Sequence, residues 1–221
     1  MKYLFILLFL FSTHSFAHLE GRALICKGKG AKEIKYKYYS FEFIKGAKAL
    51  NSKLIIEENK YQWDDAERLA WRIQDLGWHV DLKIDGSDLH EVEQRLASWP
   101  GYIILHHIGL FLRTKTLKQR GFKALTRLID RDKIWVKLSA PYNSSRKGLI
   151  NDPEVADIAR ALINWAPERM VWGTNWPHPE HSDTKPNDFE LYQMFCDWIP
   201  ERSRRKMILS ENPATLYGFF V

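Results

Sequence analysis

From residue 61 onward, short apolar runs alternate with longer stretches in which apolar residues recur every three or four positions. The runs YIIL, IWV and MVW are too short for helices and are bounded by glycine, histidine or charged residues, which predicts buried strands. Between residues 64 and 76 the apolar residues fall on one helical face, with Asp64 as the expected N-cap and Gly77 as the stop. Strand alternating with helix predicts a parallel sheet built by right-handed crossovers.

Four strand-helix units follow this first helix. Their predicted ranges are 78–84 with 87–99, 102–106 with 122–130, 134–139 with 153–165, and 169–173 with 188–198, before a last helix at 201–209. The pair Asp152 and Pro153 is typical of a helix start, because the carboxylate caps free N–H groups and proline tolerates the first turn.

Residues 1–17 are typical of a secretory signal. Lys2 is followed by an apolar block at 4–11, and Ser15 and Ala17 occupy the positions that signal peptidase reads. The block is too short to span a bilayer, so no membrane association is expected after cleavage behind Ala17. The predicted location is therefore secreted or periplasmic.

Residues 18–60 differ from the rest of the chain in pattern and charge. The stretch 34–44 alternates large and charged side chains, which predicts a short antiparallel, β-rich segment of unknown role. This segment carries ten Lys and Arg against five Asp and Glu, most of the net charge of +6. The remainder is neutral and has no basic stripe, so no nucleic-acid partner is expected. Two cysteines exclude a disulfide framework and a cysteine-based zinc site.

Polar residues gather where the predicted strands end, the edge at which parallel sheets bind ligands. His79, Asp81 and Lys83 share a face because strand side chains alternate, and His79 is a ligand, a substrate contact or a bonded core histidine. His106 and His107 are adjacent, so at most one should point to the concave side. The later units contribute Lys137, Ser139, Tyr142, Asn175, Trp176 and His178.

Five motifs occur in an order that resembles a known family. They are HHIG (106–109), VKLSAPY (136–142), APERMVWG (166–173), GTNWPHP (173–179) and NPATLYGF (212–219). Together they resemble the amidohydrolase-related hydrolases of the amidohydrolase superfamily, in particular the 2-pyrone-4,6-dicarboxylate lactonase-like group, over about residues 61–221. The resemblance implies an α/β fold, namely the last four βα units of a (β/α)8 TIM barrel. Such barrels usually need about 250 residues, so we expect the first half to be missing.

The resemblance also implies a reaction, the hydrolysis of a lactone or cyclic ester of a carboxylated small molecule. In it a water attacks the ring carbonyl. His107 matches the family's active-site histidine, which polarises or protonates, whereas His106 stands where the family has aspartate. Asn175 stands where many members have an aspartate base, and an amide is a poor base. Asn175 together with His178 is expected to position the water.

The expected substrate contacts follow from the same resemblance. Lys137, Ser139 and Tyr142 are predicted to hold the carboxylate of the substrate. The family often has an arginine just after the tyrosine, and here Arg146 is the nearby substitute. His79 and Trp176 complete the predicted set.

The family's H-x-H pair does not occur in this sequence, so we expect no catalytic metal and no other cofactor. A half barrel would leave apolar strands open, which predicts a homodimer, cover by residues 18–60, or aggregation. The chain is then an impaired lactonase-like hydrolase, an inactive truncated or fused fragment, or a secreted β binding module that carries the fragment. The family itself is cytoplasmic.

Overall fold

The computed structural model describes residues 53–57, 63–74, 77–112, 116–178 and 185–218. The predicted signal at 1–17 and the alternating stretch at 34–44 lie outside the described residues. The described part contains one parallel sheet whose strands follow each other in chain order. The strands are β1 Lys53–Glu57, β2 His79–Lys83, β3 Ile103–Leu105, β4 Ile134–Leu138 and β5 Met170–Trp172.

Strand β1 lies inside the segment that was expected to be separate from the strand-helix units. It pairs in parallel with β2, with Lys53 opposite His79 and Glu57 opposite Lys83. The sheet thus has one strand more than the four predicted, and it starts before residue 61. A parallel α/β sheet of this order is consistent with part of a TIM barrel.

The helices connect and cover the strands. Their bounds are α1 Trp63–Gln74, α2 Leu89–Ser98, α3 Arg120–Asp130, α4 Pro141–Ser144, α5 Pro153–Trp165, α6 Asp188–Trp198, α7 Arg202–Lys206 and α8 Asn212–Tyr217. The predicted cap of α5 is confirmed, because the Asp152 carboxylate accepts a hydrogen bond from the N–H of Glu154 at 3.0 Å. The last predicted helix is interrupted, since a π-helical turn at Met207–Glu211 separates α7 from α8.

The outer face of the sheet is apolar and packs against the helices. Its fully or nearly fully buried side chains are Val80, Leu82, Ile103, Leu105, Ile134, Val136, Leu138 and Met170. Burial of this surface is the main stabilising contribution to such a core.

The inner face is covered in part by the C-terminal helix. Ile104, Trp135 and Val171 are buried there and pack with Leu216 of α8. The amide of Asn212 holds this helix in place by donating to the carbonyls of Pro167 and Met170, both at 2.7 Å. The expectation that the inner face stays open is therefore wrong for these positions. A homodimer stays a prediction.

The helices of the described part are all short. None of those within residues 63–74, 77–112, 116–178 and 185–218 has the length and apolar character needed to cross a bilayer.

Candidate active site

A fully buried carboxylate, Asp81 on β2, lies at the centre of the inner face. Its Oδ2 accepts hydrogen bonds from His106 Nε2 at 2.8 Å and from Lys137 Nζ at 3.1 Å. His79 Nε2 lies 3.3 Å from Oδ1, close enough for an ionic contact, but its angles are outside the range of a hydrogen bond. We call these four residues the Asp81 cluster.

The cluster follows from strand register and from the energetics of buried charge. His79 and Asp81 alternate along β2, and Lys137 sits on β4, two strands away. A buried carboxylate is stable only when it is paired and hydrogen-bonded, and Lys137 and His106 provide this. Because a carboxylate only accepts, His106 carries its proton on Nε2. The predicted common face of His79 and Asp81 is confirmed.

His107 leaves strand geometry, which changes how the two histidines are arranged. Strand β3 ends at Leu105, and His107, Ile108 and Leu110 all have positive φ, between 48° and 59°. The rings of His106 and His107 meet edge to face at a centroid distance of 5.1 Å. The prediction that at most one of them reaches the site is therefore wrong, since strict alternation ends with the strand.

Two hydrogen bonds fix His107 against the end of β4 and the start of α4. Its Nδ1 lies 3.2 Å from the hydroxyl of Ser139, and its carbonyl accepts from the hydroxyl of Ser144 at 2.7 Å. Burial lowers the pKa of His107 well below its ordinary value of 6.5, and the positive charges of His106, Lys83 and Lys137 act in the same direction. His107 is therefore a neutral imidazole at neutral pH.

A second set of contacts joins the loop after β5 to α4 and α6. Asn175 Nδ2 donates to the hydroxyl of Tyr142 at 3.0 Å, and this hydroxyl lies 2.8 Å from His178 Nδ1. His178 Nε2 donates to Asp188 Oδ1 at 3.0 Å. Tyr142 and His178 are buried, whereas 48% of the Asp188 side chain is exposed. We call these four residues the Tyr142 relay.

Strand β4 and the turn after it connect both sets. Lys137 belongs to the Asp81 cluster, Ser139 contacts His107, and Tyr142 begins the relay, all within six residues. The loops after β2 and β3 also touch, because a Cβ at Gly86 would lie 2.2 Å from the carbonyl oxygen of Gly109. The polar groups thus share the carboxyl edge of the sheet.

Two of the predicted substrate contacts lie apart from these sets. Trp176 is 66% exposed and follows Asn175, whose φ is 72°. The Trp176–Pro177 peptide bond is cis. Arg146 is exposed, and its Nε donates to the carbonyl of Leu112 at 3.4 Å. Both residues lie at the rim of the site and can contact only a molecule that extends outward.

Asp81, His106 and Asp188 were not among the predicted site residues. The alternation of His79, Asp81 and Lys83 was the signal that could have identified Asp81. Alternation predicts that at most one of the two histidines points inward, and the family resemblance favours His107 over His106. Asp188 had no local signal, since it belongs to the first turn of the next helix, ten residues after His178.

The donors of the Asp81 cluster do not suit a metal ion. Among the residues that the structure describes, no group of three or more His, Cys, Asp or Glu side chains could hold one. The ammonium of Lys137 lies 3.1 Å from Asp81 Oδ2, and its positive charge would repel a cation at that oxygen. The expectation of no catalytic metal stays a prediction.

The parallel sheet with polar side chains and histidines at its carboxyl edge is that of an α/β protein and is consistent with part of a TIM barrel. The amidohydrolase family model matches residues 46–219, so the chain belongs to the amidohydrolase family. This match also begins before residue 61 and includes β1.

Three curated relatives match a large part of the chain, and two of them are lactone enzymes by name. The chain is 33% identical over 181 residues to a 4-sulfomuconolactone hydrolase of Hydrogenophaga intermedia, covering 79% of this chain and 58% of the relative. It is 35% identical to a D-galactarolactone isomerase of Agrobacterium fabrum, with 63% and 48% covered. It is 29% identical to a 2-pyrone-4,6-dicarboxylate hydrolase of Comamonas testosteroni, with 70% and 53% covered. The chain thus spans about half the length of these relatives.

A solved structure agrees with the fold. A crystal structure of an Agrobacterium tumefaciens protein in its apo form superposes with a TM-score of 0.66 at 31% identity. The superposition covers 74% of this chain and 60% of that protein. The resemblance to the amidohydrolase-related, lactonase-like group is confirmed.

Proposed function

We propose that the chain hydrolyses a lactone or similar cyclic ester that carries a carboxylate or another acid group. The observation that carries this proposal is the meeting of a neutral buried histidine, a lysine and a hydrogen-bond relay at one edge of the sheet. The relatives support it, since two of them are hydrolases by name, one of 4-sulfomuconolactone and one of 2-pyrone-4,6-dicarboxylate.

The Asp81 cluster supplies the charge for substrate binding. The side chain of Lys137 is 19% exposed, so its ammonium can donate outward while Asp81 holds it from behind. A lysine fixed in this way presents a preformed positive charge to a carboxylate, which reduces the entropy lost on binding. Ser139 adds a hydroxyl beside it. Arg146 and Trp176 at the rim contact the outer part of the substrate.

His107 is suited to donate a hydrogen bond to the ring carbonyl of the substrate. A neutral imidazole can donate one hydrogen bond, and in a buried site such a bond stabilises the negative charge that develops on the carbonyl oxygen. An imidazolium would be a stronger acid, but burial opposes it. His107 therefore polarises the carbonyl by hydrogen bonding rather than by full proton transfer.

Asn175 is suited to position the attacking water. Its amide can position a water molecule, although it takes up no proton. His178 acts behind it and not directly on the water, because its two ring nitrogens contact Tyr142 and Asp188. The proton of the water must therefore go to another group.

Hydrolysis of 2-pyrone-4,6-dicarboxylate and of 4-sulfomuconolactone by the purified full chain tests this proposal, with ring opening followed by ultraviolet absorbance. We expect turnover above the buffer rate, and a loss of about 10²-fold or more in kcat/KM for His107→Ala. Arg160→Gln changes an exposed residue that pairs only with Asp157 in the described part, and it should leave the rate unchanged. An unchanged rate in His107→Ala, or no turnover of either lactone, would contradict the proposal.

A further inference from the structure

The hydrogen bonds of the Tyr142 relay run in one direction, which follows from the groups that can donate and the groups that can accept. The amide nitrogen of Asn175 only donates, so the oxygen of Tyr142 accepts from it and the single hydroxyl proton of Tyr142 points to His178 Nδ1. A neutral histidine that accepts at Nδ1 carries its proton on Nε2. That proton meets the carboxylate of Asp188 at 3.0 Å. All three hydrogen bonds are satisfied with every group uncharged except Asp188.

The carboxylate of Asp188 is the group that decides this direction. If the amide of Asn175 were reversed, Tyr142 would donate to its oxygen and accept from His178 Nδ1–H. A neutral His178 would then present the lone pair of Nε2 to the carboxylate, and two acceptors would face each other. Asp188 disfavours that arrangement and selects the Nε2–H tautomer.

Resting on the proposed function, we propose that Tyr142 is the group that receives the proton of the attacking water, and that Asp188 positions His178 for it. Tyr142 is the catalytic residue, because its hydroxyl is bonded to the amide that positions the water. Asp188 acts through His178 and is a positioning residue. The arrangement of hydroxyl, imidazole and carboxylate is that of a catalytic triad, in which an acid residue holds a histidine that takes a hydroxyl proton.

The proton movements balance without any further reactant. As the water oxygen bonds to the ring carbonyl carbon, one water proton moves to the oxygen of Tyr142, and the proton of Tyr142 moves to His178 Nδ1. His178 becomes an imidazolium that is paired with Asp188. When the bond between the carbonyl carbon and the ring oxygen breaks, Tyr142 returns a proton to the released oxygen and His178 returns its own to Tyr142. The products are a hydroxyl and a carboxylic acid, which ionises in solution.

The exposure of Tyr142, His178 and Asp188 is consistent with proton transfer along the relay. Tyr142 and His178 are 3% and 2% exposed, and the hydrogen bonds of the relay are satisfied without a charge on either of them. In the proposed step the imidazolium forms next to the half-exposed side chain of Asp188. Asn175 Nδ2, which donates to Tyr142, stabilises negative charge on its oxygen as the proton leaves.

Nitrogen-15 NMR of the histidine side chains tests the direction of the relay without substrate. In the full chain, His178 should show a protonated Nε2 and an unprotonated Nδ1. Asp188→Asn should abolish this preference and Asp188→Glu should restore it. Glu190→Gln is the matched control, since it removes an equal charge from the same first turn of α6, and His178 should be unchanged in it. A protonated Nδ1 in the wild type, or a tautomer that is the same in Asp188→Asn, overturns the proposal.

The kinetics of lactone opening test whether the Tyr142 relay accepts the proton of the attacking water. Tyr142→Phe should lower kcat by about 10²-fold or more with little change in KM. Asp188→Asn should lower kcat by about 10-fold, with rescue by Asp188→Glu, and Glu190→Gln should not lower it. Full kcat in Tyr142→Phe overturns the proposal. If the wild type opens neither lactone while the NMR result is as expected, the proposed function fails and the assigned direction of the relay stands.

Discussion

The Asp81 cluster and the Tyr142 relay lie at the same edge of the sheet but are built in opposite ways. The cluster surrounds a fully buried carboxylate with a lysine and two histidines. The relay joins Asn175 to the buried Tyr142 and His178 and ends at the carboxylate of Asp188, which is half exposed. In the Asp81 cluster, the carboxylate of Asp81 is paired with the ammonium of Lys137 in the resting protein. In the proposed use of the Tyr142 relay, charge appears on His178 only when a proton moves. This difference is the basis for the proposal that the Asp81 cluster binds the substrate and that the Tyr142 relay transfers protons.

Removing the charge of Asp81 should have the largest effect on stability. Asp81→Asn leaves the ammonium of Lys137 without its counter-charge in a largely buried place, and breaking one partner of such a pair costs about 3–5 kcal/mol. Urea unfolding measures this loss. Asp157→Asn, which breaks an exposed ion pair with Arg160, should cost less than about 1 kcal/mol. Equal losses in the two variants would refute the distinct role of the cluster.

Removing the hydroxyl of Tyr142 should have a smaller effect. Tyr142→Phe leaves Nδ1 of His178 and the amide of Asn175 without this partner, and a buried polar group that loses its hydrogen bond costs about 1–3 kcal/mol. Tyr102→Phe is the matched control at a tyrosine that is 47% exposed, and it should stay within about 0.5 kcal/mol. If Tyr142→Phe lost more free energy of unfolding than Asp81→Asn, the expected order of the two regions in stability would be reversed.

His107 should make stability depend on pH below neutrality. Its folded pKa lies well below 6.5, so as pH falls below about 6.5 the unfolded chain binds a proton that the folded chain refuses. The free energy of unfolding then falls by up to about 1.4 kcal/mol per pH unit until the folded pKa is reached. Urea unfolding at pH 7.5 and pH 5 should show a larger loss for the wild type than for His107→Gln. The same loss in both would contradict the lowered pKa.

Removal of metal should have the smallest effect, namely none. Oδ2 of Asp81 is already bonded to Lys137 and His106. Elemental analysis of the purified chain should find no stoichiometric zinc or manganese, and a chelator should leave any lactone opening unchanged. One equivalent of metal that is lost in His107→Ala would contradict this expectation.

Local signals predicted the elements that depend on neighbouring residues. Helix α5 was predicted with its observed bounds, because its cap and its proline are adjacent in the sequence. Strand β1 was missed, since KLIIE is short and lies in a basic segment, and its assignment depends on pairing with β2. The candidate site was likewise predicted only in part, because some of its contacts join residues that are close in sequence and others depend on tertiary packing. Lys137 lies on β4 and Ser139 and Tyr142 follow it closely in the sequence, whereas the contact of His178 with Asp188 depends on how α6 packs.

The fate of the water oxygen tests the central claim, that this edge of the sheet opens lactones with water. One relative is an isomerase of a lactone by name, and isomerisation moves protons without adding water. The full chain should be incubated with 2-pyrone-4,6-dicarboxylate in water enriched in oxygen-18, and the product analysed by mass spectrometry. We predict a ring-opened product with one heavy oxygen in its new carboxylate. Unlabelled product, or a rearranged lactone with its ring intact, would contradict the account.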